Sequence, residues 1–123
     1  CNLATWDLRE AMNLTSPPYP PGIDEMKLAK LTAAPCNLVK VPRVAEAPCA
    51  LECKVTSIQR LKDIEGREFG NILVLGQVVG IHIDEAYVSD GVFDLAKVKP
   101  IARCGGLADY AVVTELFQMF RPR

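Results

Sequence analysis

Asn71 to Asp84 reads NILVLGQVVGIHID, and the fold turns on how this run is interpreted. It carries no proline and no charge before Asp84, and Ile72, Val74, Val78, Val79, Ile81 and Ile83 are β-branched. Such residues favour a pleated, packed strand over a helix. Apolar side chains occupy both parities, which predicts a strand covered on both faces. The run is longer than a usual strand of roughly 5–6 residues. Gly76 and Gly80 account for that, because glycine inside a strand marks a bend, a bulge or a close approach by another group. The reading is a central, strongly coiled strand of a small barrel.

Outward from this strand, the flanks supply its partners. Leu51, Cys53 and Val55 alternate with Glu52, Lys54 and Thr56, the pattern of a half-buried strand starting near Ala50. The alternation slips at Ser57-Ile58, which predicts a bulge. Glu65-Gly66-Arg67 is the turn that returns the chain into the central strand as a long hairpin. Beyond Asp84, Ala86-Tyr87-Val88 pairs again, and Ser89-Asp90-Gly91 is a further turn. Asp94 to Lys99 predicts a short helix capped by Asp94 and stopped by Pro100. Ile101 to Gly106 reads as loop, and Ala111 to Phe120 as a last strand.

Upstream, Ala4, Leu8 and Ala11 share one face over Leu3–Met12, which predicts an amphipathic helix. SPPYPPG (Ser16–Gly22) ends it. Asp24 caps a second helix running to Leu31, with Ile23 stapled on Leu28. Thr32 to Pro48 is an extended, proline-punctuated crossing segment.

Composition limits the function. The 123 residues suit one domain with a real core. No apolar run is long enough to span a bilayer, and the N-terminus shows no signal-peptide pattern. Fourteen basic against fifteen acidic residues give no electrostatic case for nucleic acid or an anionic membrane. Cys1, Cys36, Cys49, Cys53 and Cys104 form no CxxC pair, and the chain has one histidine, which argues against zinc. A reduced, cytoplasmic protein is the expectation.

LTAAPCNLVKVPRVAEAP, ALECKV, NILVLGQVVGIHID and KVKPIARCGGLADYAVVTELFQMFRP, in this order and spacing, resemble the flavin reductase-like, FMN-binding split-barrel family. The resemblance covers nearly the whole chain. It implies a mostly β split barrel with short peripheral helices, and a homodimer with FMN at the subunit interface. It further implies NAD(P)H-dependent reduction of flavin, in some members for a partner monooxygenase. The family's N-terminal half, with most flavin contacts, normally precedes the helix read here at Leu3. The chain is therefore expected to be the C-terminal portion of one such domain.

Five residues stand out as cofactor-binding candidates. Asn71 matches a position where related reductases place His or Asn near flavin and nicotinamide; otherwise it ends a hairpin turn. His82 is the one group with an ordinary pKa near neutrality, but hydride transfer to flavin needs no protein base, so a hydrogen-bonded structural histidine is the competing reading. Arg103, Gly105 and Tyr110 form the most function-like loop. A guanidinium beside glycine-freed amides suits phosphate, and a tyrosine ring suits a flat ligand; the competing reading is a turn with a surface arginine. Arg43 is open between a cofactor and a neighbouring carboxylate. Cys53 and Cys104 read as small hydrophobes. Besides an NAD(P)H:flavin oxidoreductase, two classes stay open: a non-catalytic flavin-binding module, and a fragment serving as a structural or dimerisation piece.

Overall fold

Strands β3 (Cys49–Lys62) and β4 (Glu68–Ile83) form one long antiparallel hairpin in the computed structural model, which describes all 123 residues. The elements before it are α1 (Arg9–Leu14), α2 (Glu25–Leu28), β1 (Ala33–Ala34) and β2 (Arg43–Val44). After it come a 3-10 turn at Glu85–Tyr87, β5 (Val88–Ser89), β6 (Val92–Phe93), α3 (Leu95–Val98), β7 (Ile101–Arg103) and β8 (Tyr110–Val112). The strands pair as β1–β2, β3–β4, β5–β6 and β7–β8, all antiparallel. Strands dominate and the helices are short, as expected.

The long hairpin bends where its glycines sit. Glu52 faces Gly80 while Cys53 faces Val78, so Val79 is the extra residue on β4. Val55 faces Gly76 while Ser57 faces Leu75, so Thr56 is the extra residue on β3. The second shift lies one position from the expected slip at Ser57-Ile58. Each bulge adds local twist and bends the ribbon. At the hairpin tip, Asp63 Oδ1 accepts from the Glu65 and Arg67 amides at 3.0 and 2.8 Å, and Gly66 takes φ +84°.

The expectation that Asn71–Asp84 is covered on both faces does not hold within this chain. β4 has one ladder partner, β3. Ile72, Val74 and Ile81 are 51%, 53% and 62% exposed. Hydrophobicity dictates that these side chains seek cover, but the 123 residues leave half or more of each one exposed. Six residues are buried, Thr5, Ala47, Pro48, Ala50, Glu52 and Val98. They lie where residues 1–6 cross the start of β3 and the region of α3.

That crossing corrects the first helix. Residues 1–6 are extended: Leu3 donates to the Cys49 carbonyl, Leu51 to Cys1, Trp6 to Lys99, and Ile101 to Ala4. These bonds outweigh the local helical pattern, and α1 starts only at Arg9. The second helix is capped by Asp24, whose Oδ1 accepts from the Lys27 amide at 3.2 Å. It stops at Leu28 rather than Leu31, followed by Lys30 in the left-handed region at φ 56°. α3 is capped by Asp94 as expected, and Lys99 at φ 54° hands over to Pro100. Asp90 and Gly91 (φ 49° and 76°) make the two-residue turn between β5 and β6. Two further corrections concern the C-terminus. Ile101–Arg103 is strand rather than loop, and the last strand stops at Val112 instead of Phe120. Its partner β7 is three residues long, one last bond from the Val113 amide to the Pro100 carbonyl follows, and Phe117 and Phe120 are 84% exposed.

Candidate functional site

Arg103 ends β7 and Tyr110 opens β8, directly opposite one another in the ladder. The guanidinium lies 5.2 Å from the Tyr110 ring centroid, and Nη1 donates to the Tyr110 hydroxyl at 3.3 Å. Nη2 donates to the Gly106 and Leu107 carbonyls at 3.1 Å each. Arg103 therefore braces the loop between the two strands, and Nε and one Nη1 hydrogen are left for a ligand. Gly105 and Gly106 turn that loop at φ 82° and 58°. A Cβ at Gly106 would lie 2.7 Å from Asp109 Oδ2, whereas one at Gly105 would meet nothing.

The N-terminal segment supplies the opposite wall. Trp6 is held by a hydrogen bond from its amide to the Lys99 carbonyl, and the Arg9 guanidinium sits 3.9 Å from the indole centroid. Arg9 Nη1 donates to the Trp6 carbonyl at 2.6 Å, and Nε pairs with Glu10 at 3.5 Å. Together these residues enclose a cavity of about 330 Å³ whose lining includes Trp6, Arg9, Arg103, Tyr110 and Val112. Two guanidiniums, each against an aromatic ring, suit a flat ligand bearing an anionic group.

The other two candidates lie elsewhere. Asn71 is within β4, after Gly70 at φ 85°, rather than in the hairpin turn. It does not line this cavity. His82 pairs with Ala50 across the hairpin and reaches diagonally to Glu52, with Nε2 2.7 Å from Glu52 Oε2. Because a carboxylate only accepts, Nε2 is the protonated nitrogen. Arg43 makes no ion pair, and its buried Nε has no partner. Cys104 is exposed rather than packed as a small hydrophobe, while Cys53 is half-buried.

Glu52 is the residue that sequence reading missed. It is 3% exposed, and its Oε1 accepts from the Leu38 and Val39 amides at 2.6 and 3.1 Å. Oε2 accepts from the Asn37 amide at 3.1 Å as well as from His82. The Leu38 amide is the main cause that pulls its pKa down to about 2, against the opposing effect of burial, with Asn37, His82 and Val39 helping. Glu52 is thus an anion that pins the crossing segment onto β3. Its place in an alternating strand pattern marked it only as a solvent-facing residue. Trp6 and Arg9 were missed because their segment read as plain amphipathic helix.

An uncharacterized protein of Halalkalibacterium halodurans is 34% identical over 113 residues, covering 92% of this chain and 53% of that protein. The chain spans about half the length of the curated relatives it matches, 53% and 51% for the first two. Nitrilotriacetate monooxygenase component B from Bacillus cereus superposes with a TM-score of 0.84 at 30% identity, covering 96% of this chain and 57% of that one. A protein with a split barrel domain from Shewanella frigidimarina superposes with a TM-score of 0.79 at 23% identity, covering 98% and 59%. No helix is long and apolar enough to cross a membrane. Residues 2–99 match the flavin reductase like domain, and the chain belongs to that family.

Proposed function

We propose that the chain works within an FMN-binding flavin reductase that oxidises NAD(P)H. The observation that carries this reading is the cavity between Trp6-Arg9 and Arg103-Tyr110, in a chain of the flavin reductase like family. Arg103 and Arg9 would take a phosphate of FMN or of the nicotinamide nucleotide, and Tyr110 and Trp6 would flank a flat ring. Gly105 keeps the loop between β7 and β8 tight, so that the guanidinium stays at the cavity wall. When bound, the flavin supplies the hydride acceptor; the chain's own residues bind, orient and exclude water.

The fit is partial. One cavity near the lower end of ligand-site volumes, with two arginines already bonded within the chain, suits a phosphate and a ring edge better than a whole flavin. Asn71 and His82 would approach the cofactor only across a surface completed by other chain. We therefore read the working unit as a homodimer in the cytoplasm that passes reduced flavin to a partner monooxygenase. A second reading is favoured by the uncovered side of β4: a structural or dimerisation piece with no flavin chemistry of its own.

An absorbance spectrum and NAD(P)H oxidation with added FMN separate these readings. Flavin-dependent turnover that falls in Arg103→Ala supports the reductase. Tight one-to-one FMN binding by the monomeric chain would mean that the flavin site needs no second chain to complete it. No flavin binding and no turnover, even in a preparation of the length of its relatives, would leave the structural reading.

A further inference from the structure

Cys36 Sγ, a carboxylate oxygen of Glu52 and a ring nitrogen of His82 lie within 4.8 Å of one another. We propose that these three side chains form a binding site for a divalent cation of the zinc type. Thiolate, imidazole and carboxylate are the donors such an ion takes, and three protein ligands with one open position is a recurrent arrangement. The three come from different parts of the chain: the crossing segment, β3 and β4. Composition alone argued against zinc because there is a single histidine and no CxxC pair, but this set needs neither.

The carboxylate is preorganised. Its charge is held in place by the amides of Asn37, Leu38 and Val39, and Gly80 opposite leaves the space that it occupies. The cation enters beside the Nε2–Oε2 contact and replaces the hydrogen bond that His82 Nε2 now donates to Glu52 Oε2. Bonds form from the metal to sulfur, nitrogen and oxygen; the thiol proton leaves to solvent, and the imidazole proton passes from Nε2 to Nδ1 so that a neutral ring ligates through Nε2. Ligand atoms about 2.0–2.3 Å from a zinc ion stand roughly 3.5 Å apart, so the Nε2–Oε2 pair, now at 2.7 Å, must open slightly while the thiol, within 4.8 Å of both, draws in. Cys36 can move, since it lies outside any helix or strand.

Cys36 also decides between this site and a mere clamp. Glu52 and His82 are satisfied by each other and by the loop amides, so a structural role explains them without the thiol. Cys36 is half-buried and free. With Glu52 it lines a cavity of about 200 Å³ that gives an ion access and room for a fourth ligand. Arg43 lines the same cavity. Its charge opposes a bare cation and favours an anion in the fourth position, while the thiolate and carboxylate together balance the doubly charged ion.

The test is a cobalt titration of the 123-residue chain in which the exposed thiols Cys1 and Cys104 are replaced by serine. The expected result is a one-to-one complex with a thiolate-to-cobalt charge-transfer band, displaced by zinc. Cys36→Ser should abolish the band, with an unchanged circular dichroism spectrum because this thiol makes no hydrogen bond to lose. His82→Gln should weaken binding at least by the roughly 10–100-fold that even outer-shell partners contribute. Absence of a thiolate band, or a band that persists in Cys36→Ser, overturns the proposal and leaves Glu52 and His82 as a clamp.

Discussion

Gly80 and Glu52 face each other across the first bulge of the β3–β4 hairpin, and a Cβ on Gly80 would lie 3.0 Å from Glu52 Oε2. The carboxylate cannot easily step aside, because it is held by three loop amides and His82. Gly80→Ala should therefore cost about 1–3 kcal/mol, as overpacking does, and speed amide exchange at Leu38 and Val39. At Gly76 the nearest atom to an added Cβ is at 3.4 Å, so Gly76→Ala should be close to neutral. Equal effects at the two glycines would mean that Glu52 is not what Gly80 accommodates.

Arg103 has two tasks, and its variants should separate them. Arg103→Ala should weaken a phosphate-bearing nucleotide by about 1.5–3 kcal/mol, the range for a hydrogen bond to a charged group. It also releases the Gly106 and Leu107 carbonyls, so exchange in residues 104–109 should rise. Arg103→Lys keeps charge but cannot brace both carbonyls with a planar fork. Calorimetric titration with FMN and with the nicotinamide nucleotides reads the first effect. Unchanged affinity for all of them in the intact protein would reassign Arg103 to the loop alone.

The hairpin tip has a pH dependence with a definite sign. The Arg67 amide is the main cause that holds the Asp63 carboxyl below the ordinary range, against burial; the Arg67 guanidinium and the Glu65 and Gly66 amides add to it. A folded-state pKa below the unfolded one contributes stability above the unfolded value, near about 4, and loses it as pH falls through the folded value. Urea midpoints of wild type and Asp63→Asn should differ at neutral pH and converge under acid. A constant gap across that range would show that Asp63 acts by shape, not charge.

β4 should be the place where this chain associates. Its outer edge is unpaired, and Ile72, Val74 and Leu75 stand about half exposed along it. Unpaired apolar edges recruit other strands, and a lysine blunts them. Sedimentation should find the 13.5 kDa chain in a larger species, and Val74→Lys should shift it toward monomer. An exposed substitution of this kind should change monomer stability by no more than about 0.5 kcal/mol. Association that is indifferent to Val74→Lys would move the interface elsewhere.

The amino-acid sequence by itself determined the local devices. Asp24 and Asp94 cap helices, Glu65-Gly66-Arg67 turns the hairpin, Asp90-Gly91 turns the next one, and Gly76 and Gly80 lie at bulges. Each of these depends on neighbours a few residues away, where rotamer, φ and hydrogen-bond geometry leave few choices. That Arg103, Gly105 and Tyr110 belong to one loop region was legible for the same reason, but the strand pairing of Arg103 with Tyr110 was not. Tertiary structure alone decided the rest. Residues 1–6 are extended, despite a helical pattern, because the edges of β3 and β7 offer them backbone partners. Glu52 became a buried anion because a loop many residues upstream turned three amides toward it. Trp6 and Arg9 met Arg103 and Tyr110 across almost the full length of the chain. The aliphatic run of β4 announced that it must be covered, but not by what: hydrophobic attraction is non-directional, and which surface satisfies it is settled only when distant segments meet.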